Sequence, residues 1–355
     1  MTASTADARA AGSGHRGAVA LLLILVLATA AALCEPAANP AAAVPARLAP
    51  HALLTALARV GAHLVAVGDR GIVVLSDDRG NSWSQATRVP TQALLTGVCF
   101  FDAQHGLAVG HDEVILATAD SGRSWKRTHY APESQQPLLD VWCGAQGHAI
   151  AVGAYSTYLT SADGGDTWTA QAFKPTPGQA PAAGGPSDEK AGGGYHLNRI
   201  VAASATRLYI AAEAGHLYRS DDAGTSWREL TSPYHGSFFG VLPLDAEVVL
   251  AFGLRGNLYR SEDGGANWQK IDTGTVQLLD GAARFDAGGV VVVGLSGVVL
   301  VSRDGGHAFT LQQQADYIGL GAVVSLGDEH FAAAGEGGVR VLALGLAPPA
   351  TAAAH

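Results

Sequence analysis

From about residue 50 to residue 345 the chain consists of short apolar runs cut by turns rich in Gly, Asp, Asn and Ser. Residues 94–130 show the unit: LLTGVCF, the turn DAQHG, LAVG, the turn HDE, VILAT, the turn ADSG, then SWKRTHY. Runs this short, with turn residues at regular spacing, predict β-strands. No sustained helical period occurs outside the N-terminus.

One turn recurs. SDDRGNSW carries Ser76, Asp78, Gly80 and Trp83; TADSGRSW carries Thr118, Asp120, Gly122 and Trp125. SADGGDTW carries Ser161, Asp163, Gly165 and Trp168; SDDAGTSW carries Ser220, Asp222, Gly224 and Trp227. SEDGGANW carries Ser261, Asp263, Gly265 and Trp268, and SRDGGHAF carries Ser302, Asp304, Gly306 and Phe309. The aspartates are spaced by 42, 43, 59, 41 and 41 residues. A period near 42 residues marks repeat architecture. A second beat agrees with it. AVG (66–68, 108–110, 151–153), AFG (251–253), VVG (292–294) and AAG (333–335) each precede a short loop and an apolar strand, with AAE (211–213) as the odd copy. Seven repeats of four strands predict an all-β, seven-bladed β-propeller.

The motif has a structural role in that fold. The Asp carboxylate and Ser/Thr hydroxyl bond turn backbone, the Gly permits positive φ, and the Trp buries a ring as it opens the fourth strand. Six identical catalytic sites would be odd, so no catalytic residue is assigned. The seventh repeat lacks the motif and supplies three strands. Residues 44–50 are expected to provide its fourth, closing the ring.

Residues 41–346 form the propeller on this reading, and 347–355 a C-terminal tail. Residues 1–40 stand apart: the apolar run 17–33 reads as a secretory signal peptide or membrane anchor, with Cys34 raising a lipoprotein reading. The propeller is then exported, to a periplasm or lumen. The interval of 59 reflects a Pro/Gly/Ala-rich loop, 174–195. Net charge is −9 with 15% charged residues, and no Lys/Arg-rich run exists, which argues against nucleic acid. No metal-ligand or nucleophile motif occurs, and no cofactor is implied. Cys99 and Cys143 hold equivalent places in adjacent repeats and are expected to be buried free thiols. Candidate partner-binding residues are Arg70, Tyr155 and Arg255 in turns between second and third strands, Tyr195 on the long loop, and Arg199 on the inner strand of the fourth repeat near the channel. Arg219 and Arg260, in two LYRS segments, are further candidates.

The repeated turn resembles the Asp-box, or bacterial neuraminidase repeat. AVGDRGIVVLSDDRGNSW, AVGAYSTYLTSADGGDTW and AFGLRGNLYRSEDGGANW together resemble the photosystem II stability and assembly factor family of plants and cyanobacteria, over about residues 50–345. The resemblance implies a non-enzymatic, exported propeller that assists assembly of a membrane-protein complex through an Arg-bearing surface. Arg70 and Arg255 occupy the family's "RG" turn position, and Arg199 an inner strand where a family Arg could sit. Other repeats carry Asp112-Glu113, Ser156-Thr157, Ala214-Gly215, Ser296-Gly297 and Glu336-Gly337 there, a thinner basic patch. A monomer that binds a membrane-protein complex or its subunits is the expected behaviour. Two other readings stand beside it: a sialidase-type glycoside hydrolase or glycan-binding propeller, which would need three converging arginines, and a structural or adhesive repeat protein.

Overall fold

The computed structural model describes residues 42–178, 194–286 and 288–344. The segment 17–33, Cys34, residues 179–193 of the long loop and the tail 347–355 lie outside them. The described chain is a seven-bladed propeller of six four-stranded antiparallel sheets and one three-stranded sheet, with no α-helix among the described residues. The inner strands are Leu54–Val60, Leu95–Phe100, Leu138–Cys143, Leu197–Ala202, Phe238–Pro243, Leu279–Phe285 and Leu320–Gly327, in blades one to seven.

Second strands such as Ala149–Gly153 and Val249–Gly253 are buried throughout. Both faces of each sheet pack on neighbouring blades, so the sequence is apolar continuously rather than alternately. The glycine ending the second strand has a steric cause. A Cβ on Gly153 would lie 2.3 Å from the Pro137 carbonyl oxygen, where the inner strand bulges past.

The six Ser-Asp-Gly-Trp turns share one hydrogen-bond network. In blade three, Ser161 Oγ donates to Asp163 Oδ1 (2.8 Å) and accepts the Gly165 N–H (2.9 Å). Asp163 accepts the Thr167 N–H at 3.0 Å and the Thr167 hydroxyl at 2.5 Å. Trp168 Nε1 donates to the Gly165 carbonyl at 3.0 Å. The ring N–H bond is made in this way in blades one to three. In blade four Trp227 Nε1 reaches the Tyr158 hydroxyl (3.1 Å), which donates onward to the Gly224 carbonyl (2.9 Å). In blade five Trp268 Nε1 has no partner among the described residues, and blade six has Phe309. Each turn is also a wedge between blades. Gly165 (φ 89°) packs on Leu107 of blade two, where a Cβ would approach to 2.4 Å, and Gly224 packs on Ile150 of blade three in the same way.

Two expectations are corrected. Residues 44–50 do not supply a strand to blade seven. They run beside blade one, where the Ala46 N–H donates to Gln85 Oε1 (2.8 Å) and Gln85 Nε2 to the Val44 carbonyl, and end with Pro50 packed on Gly338 of blade seven. Ring closure is instead by packing: Leu54, Ala66 and Val74 of blade one against Ala322 and Ala334 of blade seven, and Leu64 against Leu326 and Ala332. Arg59 and Arg79 of blade one donate to the Ser325 and Leu326 carbonyls of blade seven. The third strand of blade seven, Gly338–Ala343, is partly exposed along its length, whereas third strands such as Val73–Ser76 and Leu258–Ser261 are wholly buried. Second, Cys99 and Cys143 form a disulfide. The inner strands crowd together around the axis, so equivalent residues of blades two and three stand with Cα atoms 5.7 Å apart, within disulfide range.

The disulfide closes a sequence separation of 44 residues, so reduction or Cys143→Ser is expected to lower unfolding free energy by about 2–4 kcal/mol, read by denaturant titration with and without reductant. A pair of substitutions isolates the wedge. Gly164 and Gly165 both have positive φ (77° and 89°), but a Cβ on Gly164 meets nothing within 4 Å. Gly165→Ala is expected to lower Tm clearly more than Gly164→Ala; equal losses would mean that backbone strain alone explains the glycine.

Candidate partner-binding face and central channel

The propeller has two unlike faces. The first bears the Ser-Asp-Gly-Trp turns and the loops between first and second strands. It is densely ion-paired: Asp77 with His63 (2.6 Å) and Arg123 (3.0 Å), and Arg207 with Asp221 (2.7 Å) and Glu247 (3.0 Å). Arg219 and Arg260 belong to this side and are buried. Arg219 pairs with Asp221 and donates to the Gly264 carbonyl at 3.1 Å; Arg260 donates to the Gly305 carbonyl at 3.0 Å. Each guanidinium holds the turn of the next blade, so neither is an interface residue. A groove of about 520 Å³ runs between blades two and three here, lined by Arg88, His105, Trp125, Lys126, Asp163 and Asp166.

The opposite, loop-bearing face carries the turns between second and third strands and the connections from one blade to the next. In six blades the middle residue of that turn is a non-glycine in the left-handed region: Arg70, Asp112, Tyr155, Ala214, Arg255 and Ser296, with φ between 52° and 60°. That conformation is costly for a residue with a Cβ. It turns successive side chains outward around the ring. Arg70 is 82% exposed with a loose pair to Asp69 (3.6 Å), and Arg255 is exposed with no ion pair among the described residues. Of the ten exposed large hydrophobic side chains among the described residues, six lie here: Leu53, Tyr130, Tyr155, Val276, Leu295 and Tyr317. None of the ten lies in a Ser-Asp-Gly-Trp turn or a loop between first and second strands, so apolar exposure separates the faces.

Blades three and four join closely on this face. The Ser156 N–H of blade three donates to the Tyr195 carbonyl, on the segment leading into blade four, at 2.8 Å. Tyr155 meets His196 edge-on (ring centroids 4.9 Å apart), while half-buried Tyr195 lies over His216 at 3.9 Å. Of the expected contact residues, Tyr155 and Tyr195 are brought together here. Arg70 and Arg255 stand in the equivalent turns of blades one and five, which are not neighbours in the ring.

Arg199 is elsewhere. It points into the central channel, a cavity of about 240 Å³ lined by every blade. Its Nη2 lies 3.5 Å from Asp280 Oδ1 of blade six, and its Nε 4.0 Å from Asp140 Oδ2 of blade three. Blade five presents Gly240 at the position that holds Asp140 and Arg199 in blades three and four. Asp140 Oδ2 also accepts the Ile200 N–H at 2.9 Å. Burial pushes both carboxyls above the ordinary value of 3.8, against the pull of Arg199. The two aspartates escaped the sequence reading. Their signal was present: LLDVWC and LDGAARF place an acid in an inner strand that is otherwise mostly apolar. Among the described residues Arg199 is the only arginine lining the channel, so they do not assemble there the converging trio of a sialidase-type site.

The family described as photosynthesis system II assembly factor YCF48 matches residues 75–169 and 128–293. The chain belongs to this family. No curated protein matches it. Among solved structures, YCF48 bound to a D1 peptide is similar at 16% identity and a TM-score of 0.63, over 86% of this chain and 97% of that one. YCF48 from Cyanidioschyzon merolae is similar at 17% identity and a TM-score of 0.62, over 84% and 96%. A GH74 enzyme from Niastella koreensis is similar at 14% identity and a TM-score of 0.63, over 82% of this chain and 52% of that one. At these identities the likenesses establish the fold. Family membership rests on the sequence match.

Titration of the two sites has opposite sign. Hydrogen bonds from Thr167 and Ser82 hold Asp163 and Asp78 at about 2, so the stability those turns lend is present above the ordinary value and is lost as pH falls toward 2. Asp140 and Asp280 are raised, so what they lend is present at low pH and is lost as pH rises through the raised values. Asp280→Asn is therefore expected to raise Tm at pH 7. The gain should shrink as pH approaches 4, in thermal melts across that range; a gain independent of pH would contradict the assignment.

Proposed function

We propose that this chain is a non-enzymatic assembly factor that acts outside the cytoplasm, in a periplasm or lumen, and captures a segment of a membrane-protein subunit on its loop-bearing face. Family membership supports the role, and the D1 peptide held by a similar YCF48 structure indicates the kind of client. The observation that carries the choice of face is the concentration of exposed apolar and aromatic side chains there, beside the exposed guanidiniums of Arg70 and Arg255. Aromatic and arginine side chains dominate binding energy at interfaces. Tyr155 and the Tyr195 edge would supply rigid contact area, and the two arginines would pair with carboxylates of the client. Arg199 serves this reading from within the channel and not as a surface contact. The monomer is the working unit, and nucleic acid is not a partner on this reading.

The test is capture of photosystem II subunits, or of another envelope complex in a non-photosynthetic host, from solubilised membranes by the tagged protein. The triple substitution of Arg70, Tyr155 and Arg255 by Ala is expected to weaken capture of the identified client at least tenfold, with Tm unchanged within a few degrees. All three side chains project into solvent, so unchanged capture would place the interface on the other face.

A further inference from the structure

The channel trio is unbalanced. Two carboxylates, Asp140 and Asp280, face one guanidinium, Arg199, and both of its ion pairs are long, at 4.0 and 3.5 Å. Among the described residues Asp280 Oδ1 takes the contact from Arg199, while Oδ2 accepts no hydrogen bond. Beside that oxygen is unfilled space. A carbon placed where a side chain would begin on Gly321 lies 3.3 Å from Asp280 Oδ2 and 3.6 Å from the Thr55 carbonyl oxygen. The nearest atoms to that point are acceptors, and no donor is among them. The Asp280 side chain is 28% exposed, so this oxygen is open to the channel and accessible to a ligand entering it. The surrounding wall is apolar, with Leu57, Val98, Phe252 and Val323 among its residues.

We propose that the channel mouth is a binding site for an alkylammonium group, the side chain of a lysine in the segment docked on the loop-bearing face. The chemistry follows from the lining. An ammonium carries several N–H donors and one positive charge, which meets the free oxygen and balances two acids against one base. The aliphatic stem of lysine suits the apolar wall. Strand direction places the site at the correct end. Asp140, Arg199 and Asp280 each fall within the first three residues of their inner strands, and every inner strand enters from the loop-bearing face. The source of the lysine rests on the functional reading above; the site itself does not, and it can be probed without any client.

The experiment uses n-butylammonium as the probe and the carboxyl carbon resonances of 13C-labelled aspartate as the readout. Saturable shifts are expected at Asp280 and Asp140, with Kd on the order of 1 mM for so small a ligand. Tetramethylammonium, which has the charge without an N–H, should produce none, nor should sodium at the same concentration. Asp280→Asn, which removes the free carboxylate, should weaken the Asp140 response at least tenfold while the fold persists by circular dichroism. The proposal is overturned if butylammonium gives no saturable shift, if tetramethylammonium gives the same one, or if Asp280→Asn binds as tightly as the native protein. Butylammonium binding together with failed client capture would sink the docking reading and leave the site standing; the reverse would sink the site alone.

Discussion

A single hydroxyl at the end of the third strand in six of the seven blades organises the molecule. In blade one, Ser76 Oγ accepts the Gly80 N–H and donates to Asp78, and the same arrangement recurs through Ser302 and Asp304 in blade six. Satisfying the turn's backbone donors internally lets the chain reverse in a few residues without an orphaned N–H. That tight reversal brings a bare glycine against the preceding blade and sets an aromatic ring beside it. Trp125 joins the core between blades one and two, and Trp227 that between blades three and four. Blade-to-blade packing therefore begins from a local turn, and the ring is the sum of these local decisions.

This locality decides what the sequence reveals. The period, the strands and the turn network are legible because each depends on residues within one repeat. Gly153 and Gly165 recur for steric reasons that act at short range. The Cys99–Cys143 bridge was not legible, because it depends on how closely seven inner strands converge at the axis. The open third strand of blade seven was hidden for a related reason: residues 44–50 could have paired there on pattern alone, yet Gln85 draws them to blade one. The pairing of Arg199 with Asp280 spans 81 residues and skips a blade, a geometry that no linear pattern encodes.

The two faces show how one scaffold keeps structure and recognition apart. Ion pairs crowd the side that carries the turn motif, where Arg219 and Arg260 brace successive blades. The other side has its turn residues held in a strained conformation and its aromatics left exposed. Propellers of unlike function share this backbone, as similarity to both YCF48 and a GH74 enzyme illustrates. The fold supplies the ring, and function resides in what each face presents.

The seam between blades seven and one has a consequence for how the protein forms. No described strand is borrowed from the far end of the chain, so each sheet's backbone ladder joins residues of a single repeat. Among the described residues, side-chain packing, the reach of Arg59 and Arg79 and the close approach of Pro50 to Gly338 connect the two ends. Each blade can therefore complete its hydrogen bonds as it emerges, in order from the N-terminus, with the costly long-range closure deferred to the last step. A chain that emerges gradually, N-terminus first, can then assemble progressively, without waiting for its final residues to secure its first sheet.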